Sequence, residues 1–482
     1  MVFGTFEFFI FLAAEIAIYW ALKKHSTLRR LFLLSASAYY YWLVDERFVG
    51  LLAAAALITY LAGSIASVQG SVRIKKILCW TGIAGNLGIL LWFKYYDFFR
   101  VSAQSFFASI GLSATLPFWE MVFPIGVSFY TFRMISYLAD LLRKKYKAER
   151  SMLDFGVYAF FFPYLLAGPI VRANDFLPQL KNGGPEQPNN LPAASALFFL
   201  GLFKKIVISS WLAETLVDNV FAVPEQIGAA AAWLAVLGYT LQIYCDFSGY
   251  SDIAIACAMF MGFSLPPNFT FPYRARSLTE FWQRWHISFY SWMVEYIYIP
   301  LGGSRAGKIR NYANVLMVFT LSGLWHGAAI HYLAWGLWHG IGMCFQRIWK
   351  NIKGVFPPIS TNLRSFPKII LRGLADIGGW SATFLFVGIG WIFFRSENLE
   401  RAQVLGSSLL RSGPYSPISE TTLLIVCAIF LFVAFEREIL SFLTKVQDIM
   451  PIRAWLLFWI VIGLIIYRLA PQTVPPFIYF SF

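Results

Sequence analysis

The chain of 482 residues is 58% hydrophobic and 19% aromatic, and only 13% of its residues are charged. Soluble domains carry about 25% charged residues, so a soluble protein of this composition would lack the polar groups to cover its surface. The net charge of +14 is divided among short Lys/Arg clusters between apolar runs. That pattern reports membrane topology and gives no footprint for nucleic acid.

Apolar stretches near the length that crosses a bilayer cover 3–22, 28–44, 48–68, 77–96, 121–142, 155–171, 195–221, 229–261, 311–330, 332–349, 378–394, 422–442 and 454–470. They predict an all-α polytopic membrane protein with roughly 11–13 membrane segments. The first stretch has no basic leader, contains Glu7 and Glu15 and is followed by further spans, so it reads as an uncleaved helix. Basic clusters at 23–30, 73–76 and 143–150 alternate with the less basic loops at 45–47 and 97–120. With basic loops in the cytoplasm, the N-terminus lies outside. Residues 172–192 and 396–420, rich in Gly, Pro, Asn and Ser, read as surface loops. With no internal repeat and no soluble module, 1–482 is a single membrane domain. The five scattered cysteines, none in a CxxC pair, read as reduced packing residues.

Polar side chains inside apolar stretches cost about 2.5–3.5 kcal/mol each at a helix centre, so their positions are informative. In 244–252 (YCDFSGYSD), Asp246, Gly249 and Tyr250 share a helical face. That face either lines a bundle interior or serves as helix–helix glue, with the aspartates pairing with arginine elsewhere. Ser277 and Glu280 form an S-x-x-E capping box opening a helix that carries Trp282, Arg284, Trp285 and His286. The same composition suits an interfacial amphipathic helix. His326 sits late in a largely apolar segment, bracketed by Gly323 and Gly327, glycines that leave room for a ligand or another backbone. A lone histidine on an apolar face is usually a packing residue, yet four of the five histidines fall within 286–339. His326, His331 and His339 lack ligand spacing and acidic company, so no metal site is read here. An unmetallated imidazole acting as general base fits better. No Walker A loop, dinucleotide fingerprint or GxSxG elbow occurs.

At these residues the sequence resembles the membrane-bound O-acyltransferase family, in its bacterial alginate O-acetyltransferase-like branch. The resemblance is carried by FPIGVSFYTFRMISYLAD (123–140), YLLAGPIVR (164–172), GLFKK (201–205) and YCDFSGYSDIAIA (244–256). It continues through NFTFPYRARSLTEFWQRWHISFYSWMVEYIYIPLGGSR (268–305) and LSGLWHGAAIHYLAWGLWHG (321–340). These stretches run in family order over a little under half of the chain. Gln283 and Cys245 depart from the residues common in relatives. The resemblance implies a helical bundle around a transmembrane tunnel, with a catalytic core at about 121–350. It maps the family's principal catalytic histidine onto His326 and the second functional histidine onto His286. Arg284, Trp285, Trp325, Asp246 and Ser248 are candidate tunnel or supporting residues, while His331 and His339 match no catalytic position. No bound cofactor is implied. The expected donor is acetyl-CoA or another cytoplasmic thioester, and the expected location is the bacterial inner membrane, in contact with lipid. The acetyl group would pass through a periplasmic acetyltransferase partner to a polysaccharide such as peptidoglycan or alginate. The alternative from another class is a secondary transporter or flippase; its inverted repeats and paired broken helices are not visible in the sequence.

Overall fold

A computed structural model describes residues 3–68, 70–113, 115–119, 122–181, 184–305, 307–355, 366–412, 419–471 and 475–480. Among these residues there is no strand; the secondary structure is helical throughout. Among the described residues four helices, Glu46–Val68, Val72–Ser109, Leu191–Ala222 and Gly373–Arg395, are long and apolar enough to cross a membrane by length and composition. The chain divides into two compact units, Met1–Phe199 with Tyr250–Pro266, and Leu200–Gly249 with Pro267–Phe482.

In the first unit, the helices Val49–Val68, Val72–Ser109 and Val127–Leu142 pack on one another. A Cβ on Gly82 would stand 2.7 Å from Leu138 and 2.9 Å from Ala62, and one on Gly63 would meet Tyr137 and Leu141 at 2.9 Å. Small residues let the backbones approach where lipid offers no hydrophobic drive. The apolar run at 155–171 is not one helix: it breaks at Phe161, between Met152–Phe160 and Phe162–Leu165. Pro163 has no N–H for the Ala159 carbonyl, and Arg133, fully buried, donates to that carbonyl at 3.3 Å and to the Tyr164 carbonyl at 2.8 Å. A buried guanidinium thus satisfies backbone left open by the break.

The stretch 172–192, expected as loop, contains the helix Ala173–Leu180. Ala173, Phe176, Leu177 and Leu180 form a buried stripe at helical spacing, hidden in the sequence by polar neighbours. The 396–420 stretch likewise holds the helix Leu399–Ser408, with the Asn398 side chain accepting from the Arg401 N–H at 2.9 Å. Its residues 413–418, like 120–121 in the earlier loop and segment and 182–183 in the first polar stretch, lie outside the described residues.

The second unit is built around the helices Lys308–His326 and Ile330–Val355, which pack closely. A Cβ on Gly323 would fall on the Tyr332 carbonyl, one on Gly336 on the Phe319 carbonyl, and one on Gly327 on the Tyr332 ring. The space beside His326 therefore admits another backbone and a tyrosine ring. The long helix entering this unit, from residue 200, widens into π turns at Phe203–Ser209 and Ala213–Val217.

Candidate active site

His286 sits at a break, where the sequence reading ran one helix on through Arg284 and His286. Ser277 caps the helix Leu278–Arg284, its Oγ accepting from the Glu280 N–H at 3.3 Å. The Glu280 carboxylate reaches back to the Arg276 N–H at 2.8 Å, one residue earlier than a capping box requires. After Arg284 the chain extends through Trp285 and turns left-handed at His286 (φ 44°, ψ 52°), before Ile287–Met293 begins. A side chain at such φ costs about 1–3 kcal/mol and persists where its surroundings impose it. Here the segment at 268–270 imposes it. Thr270 N–H donates to the Arg284 carbonyl at 3.0 Å, Ile287 N–H to the Asn268 carbonyl at 2.9 Å, and Ser288 Oγ to Asn268 Oδ1 at 2.8 Å. The backbone groups freed at the break are answered by neighbouring chain.

His326 is the last residue of the helix Lys308–His326. Both imidazoles are buried, at 1% and 3% exposure, and they share one aromatic enclosure. His286 lies 4.6 Å from Phe247, 5.0 Å from Phe289, 6.1 Å from Trp325 and 6.2 Å from Tyr479, ring centre to ring centre. His326 lies 4.8 Å from Trp325, 5.7 Å from Phe289 and 5.4 Å from Tyr479, and 5.0 and 5.1 Å from Trp335 and Phe394. Phe289, Trp325 and Tyr479 therefore touch both histidines. Rings exclude water while leaving an imidazole able to exchange a proton with a reactant.

The other candidates separate from this enclosure by degrees. Trp325 is in it. Trp285 is two rings away, tilted against Trp391 at 5.1 Å, which stacks on Trp335 at 5.8 Å. Ser248 is buried, and its hydroxyl has no hydrogen-bond partner among the described residues. Asp246 is buried and paired with Lys205, not with an arginine, and Ser209 Oγ also donates to it at 3.2 Å. Arg284 lies outside, bonded to Glu280 at 2.6 Å, in a pocket of about 460 Å³ lined by Phe271, Arg274, Arg276, Glu280, Arg284 and Arg437. An apolar pocket of about 260 Å³, bordered by Tyr244, Tyr273, Trp380 and Phe430, shares Phe271 and Arg274 with it. His331 bonds through Nδ1 to the Phe393 carbonyl at 2.9 Å. His339 is fully buried among Trp282, Trp335, Phe386 and Trp391.

Sequence reasoning missed two groups. Lys204 and Lys205 are adjacent and both buried, on a π turn; Lys204 donates to Glu436 at 2.6 Å, and Tyr244 OH donates to the same carboxylate at 2.5 Å. Their signal was present as two cations inside the apolar run 195–221 and Glu436 inside 422–442. The second group is the C-terminal segment with Phe477 and Tyr479, whose sequence cue is the aromatic ending FIYFSF at 477–482.

The family model described as MBOAT, membrane-bound O-acyltransferase family, matches residues 39–389. The probable alginate O-acetylase AlgI of Pseudomonas syringae pv. tomato is 36% identical over 420 residues, covering 86% of this chain and 76% of the relative. The peptidoglycan O-acetyltransferase of Helicobacter pylori is 31% identical over 408 residues, 79% of this chain and 74% of the relative. The teichoic acid D-alanyltransferase of Streptococcus thermophilus is 30% identical over 242 residues, 48% and 58% of the two chains. The aromatic enclosure around His286 and His326 thus belongs to an acyltransferase, and the chain is a multi-pass member of the membrane-bound O-acyltransferase family.

Proposed function

We propose that the chain takes an acetyl group from a cytoplasmic thioester, with acetyl-CoA as the donor, and passes it across the inner membrane for O-acetylation of a cell-surface polysaccharide. The observation that carries the reading is the pair of buried histidines sharing Phe289, Trp325 and Tyr479, in a chain whose extended relatives are polysaccharide O-acetyltransferases by name. The whole chain acts as one membrane domain with its catalytic core at about 121–350, the N-terminus on the periplasmic side, and a periplasmic acetyltransferase partner completing delivery.

His326 is the general base. Its imidazole takes the proton of the attacking hydroxyl, the oxygen bonds to the thioester carbonyl carbon, the C–S bond breaks, and the imidazolium returns the proton to the departing thiolate. His286, fixed by the break and by Asn268, stabilises charge across the same enclosure. Trp325 walls the reaction from water that would hydrolyse the donor. Arg274, Arg276, Arg284 and Arg437 supply positive charge suited to the phosphates of coenzyme A, and the adjoining apolar pocket suits its pantetheine arm.

The test is transfer of labelled acetyl from acetyl-CoA by membranes containing the chain and its partner, wild type against His326→Ala at equal membrane expression. The reading expects transfer to collapse in the variant, and mass spectrometry of surface polymers from a deletion strain to show one polysaccharide without its O-acetyl groups. Retained transfer by His326→Ala sinks the assignment. Passage of an intact solute across liposomes with no acetyl transfer would replace it with transport.

A further inference from the structure

The segment Pro475–Phe480 reaches the histidine enclosure with little regular structure to hold it, a single turn at Ile478–Phe480. Phe477 is 3% exposed and Tyr479 9%. A buried non-helical backbone must find hydrogen-bond partners outside itself, and two of this segment's bonds go to one ion pair. Ile478 N–H donates to Asp246 Oδ2 at 2.9 Å, and Lys205 Nζ donates to the Pro475 carbonyl at 3.2 Å. Lys205 also pairs with Asp246 Oδ1, which accepts from Ser209 Oγ as well. The carboxylate's two oxygens are thus divided, one serving the helices and the other the segment.

Ring packing follows the same line. Phe477 lies 5.5 Å from Phe247, with Lys205 Nζ 5.8 Å from its ring centre, and Tyr479 lies 4.6 Å from Phe247. Phe247 follows Asp246 in sequence and is itself 4.6 Å from His286. An ion pair serving only to join two helices needs neither the Ile478 N–H nor the Pro475 carbonyl. The neighbouring Lys204–Glu436 pair has its third partner in Tyr244 and supplies that joining role. Gly249 completes the arrangement: a Cβ there would stand 2.7 Å from the Gly201 carbonyl and 2.9 Å from the Lys205 nitrogen, so the two helices meet closely where Lys205 must reach Asp246.

We infer that Lys205 and Asp246 are positioning residues that hold the C-terminal segment against the two histidines, making Tyr479 a wall of the transfer site. The inference rests on the reading of that site as the place of acyl transfer, but the docking itself is measured without activity. The full-length chain carries the photo-crosslinker benzoylphenylalanine at position 477, is irradiated in membranes, and its crosslinked peptides are mapped by mass spectrometry. With the native latch, crosslinks fall on the peptide containing Phe247. Asp246→Asn lowers their yield at least fivefold and lowers kcat for acetyl transfer at least tenfold with little change in KM, and Asp246→Glu recovers part of both. Ile478→Pro provides the second arm, because it removes the N–H that Asp246 accepts and leaves the ion pair intact. It is expected to reproduce both losses in a chain that remains monodisperse. Unchanged crosslinking in Ile478→Pro overturns the latch. Lost crosslinking with full transfer overturns the segment's part in the site. A wild-type chain that crosslinks as expected but transfers no acetyl group disproves the functional reading and leaves the docking standing.

Discussion

Around His286 and His326 the neighbours are aromatic rings, whereas in the same unit Lys204 and Lys205 each meet a carboxylate. Both groupings bury polar side chains at 5% exposure or less. They differ in what answers the polarity. A buried cation without a partner is untenable, so the lysines are fixed by ion pairs and hydrogen bonds whose loss is felt by the fold. An imidazole can be buried neutral among rings, which shape a space and exclude water without committing the nitrogens to a strong charge. The lysine cluster is therefore machinery for holding, and the histidine enclosure is machinery for reacting.

The largest effect that separates the two is expected from His326→Ala. General acid–base groups contribute about 10²–10⁴-fold to a rate, so acetyl transfer should fall by a factor in that range while thermal unfolding in detergent shifts little. Lys204→Met should show the reverse emphasis. Removing one partner of a buried pair costs about 3–5 kcal/mol, because Glu436 is left charged with Tyr244 as its remaining donor. A lowered unfolding midpoint, largely recovered in Lys204→Met with Glu436→Leu, is the expected result. If Lys204→Met unfolds like wild type but transfers nothing, the division between holding and reacting fails.

His286→Asn comes next. Asparagine tolerates the left-handed backbone of position 286 but removes the imidazole, so folding should be preserved while kcat drops by about 10²-fold, the lower end of acid–base effects. His286→Ala makes the comparison sharper, since it loses the ring and also suits the backbone less well. Equal thermal midpoints for the two variants would show that the strained turn is held wholly by Asn268 and its neighbours. Arg284→Gln should act more gently and on binding. Arg284 is about one-third exposed and already paired with Glu280, so its contribution is screened by salt. KM for acetyl-CoA should rise several-fold at low ionic strength, with the difference shrinking as salt is added and kcat almost unchanged.

These residues were unequally legible in the sequence. His326 stood out because a titratable group inside an apolar run is expensive, and the family resemblance singled it out from His331 and His339. The all-helical membrane fold followed from composition and segment length. The break at His286 was not readable, because no Gly or Pro marks Trp285–His286; bonds from Asn268 and Thr270, sixteen to eighteen residues upstream of His286, make it. Arg133 was invisible for a related reason, since its partners are carbonyls beside the break on another helix, that of Ala159 opened by Pro163 and that of Tyr164 at the end of the next short helix. Lys204 and Lys205 met the same test of misplaced polarity as His326. Their meaning depended on Glu436 and Asp246, and a pairing across 232 residues leaves no local pattern. Asp246 was flagged as a tunnel or helix-joining residue, and only the fold puts Ile478 on its second oxygen.

The smallest effect is expected at His339, and it tests whether burial among rings is enough to make a histidine matter. His339 is more deeply buried than His326, and it too meets Trp335 at 5.0 Å. Unlike His326 it does not contact Tyr479, Trp325 or Phe289 in the ring packing, and neither of its nitrogens has a hydrogen-bond partner among the described residues. Replacing a buried polar group that makes no hydrogen bond by an apolar one of similar volume is nearly neutral or stabilising. His339→Leu should therefore change stability by less than about 1.5 kcal/mol and leave acetyl transfer within about twofold. The measurement is transfer and the unfolding midpoint on the same preparation, beside His326→Ala. A tenfold loss of transfer in a chain that unfolds normally would mean that the reacting region extends past Trp335 to His339. The boundary between packing and chemistry would then lie one helical turn beyond the shared enclosure of His286 and His326.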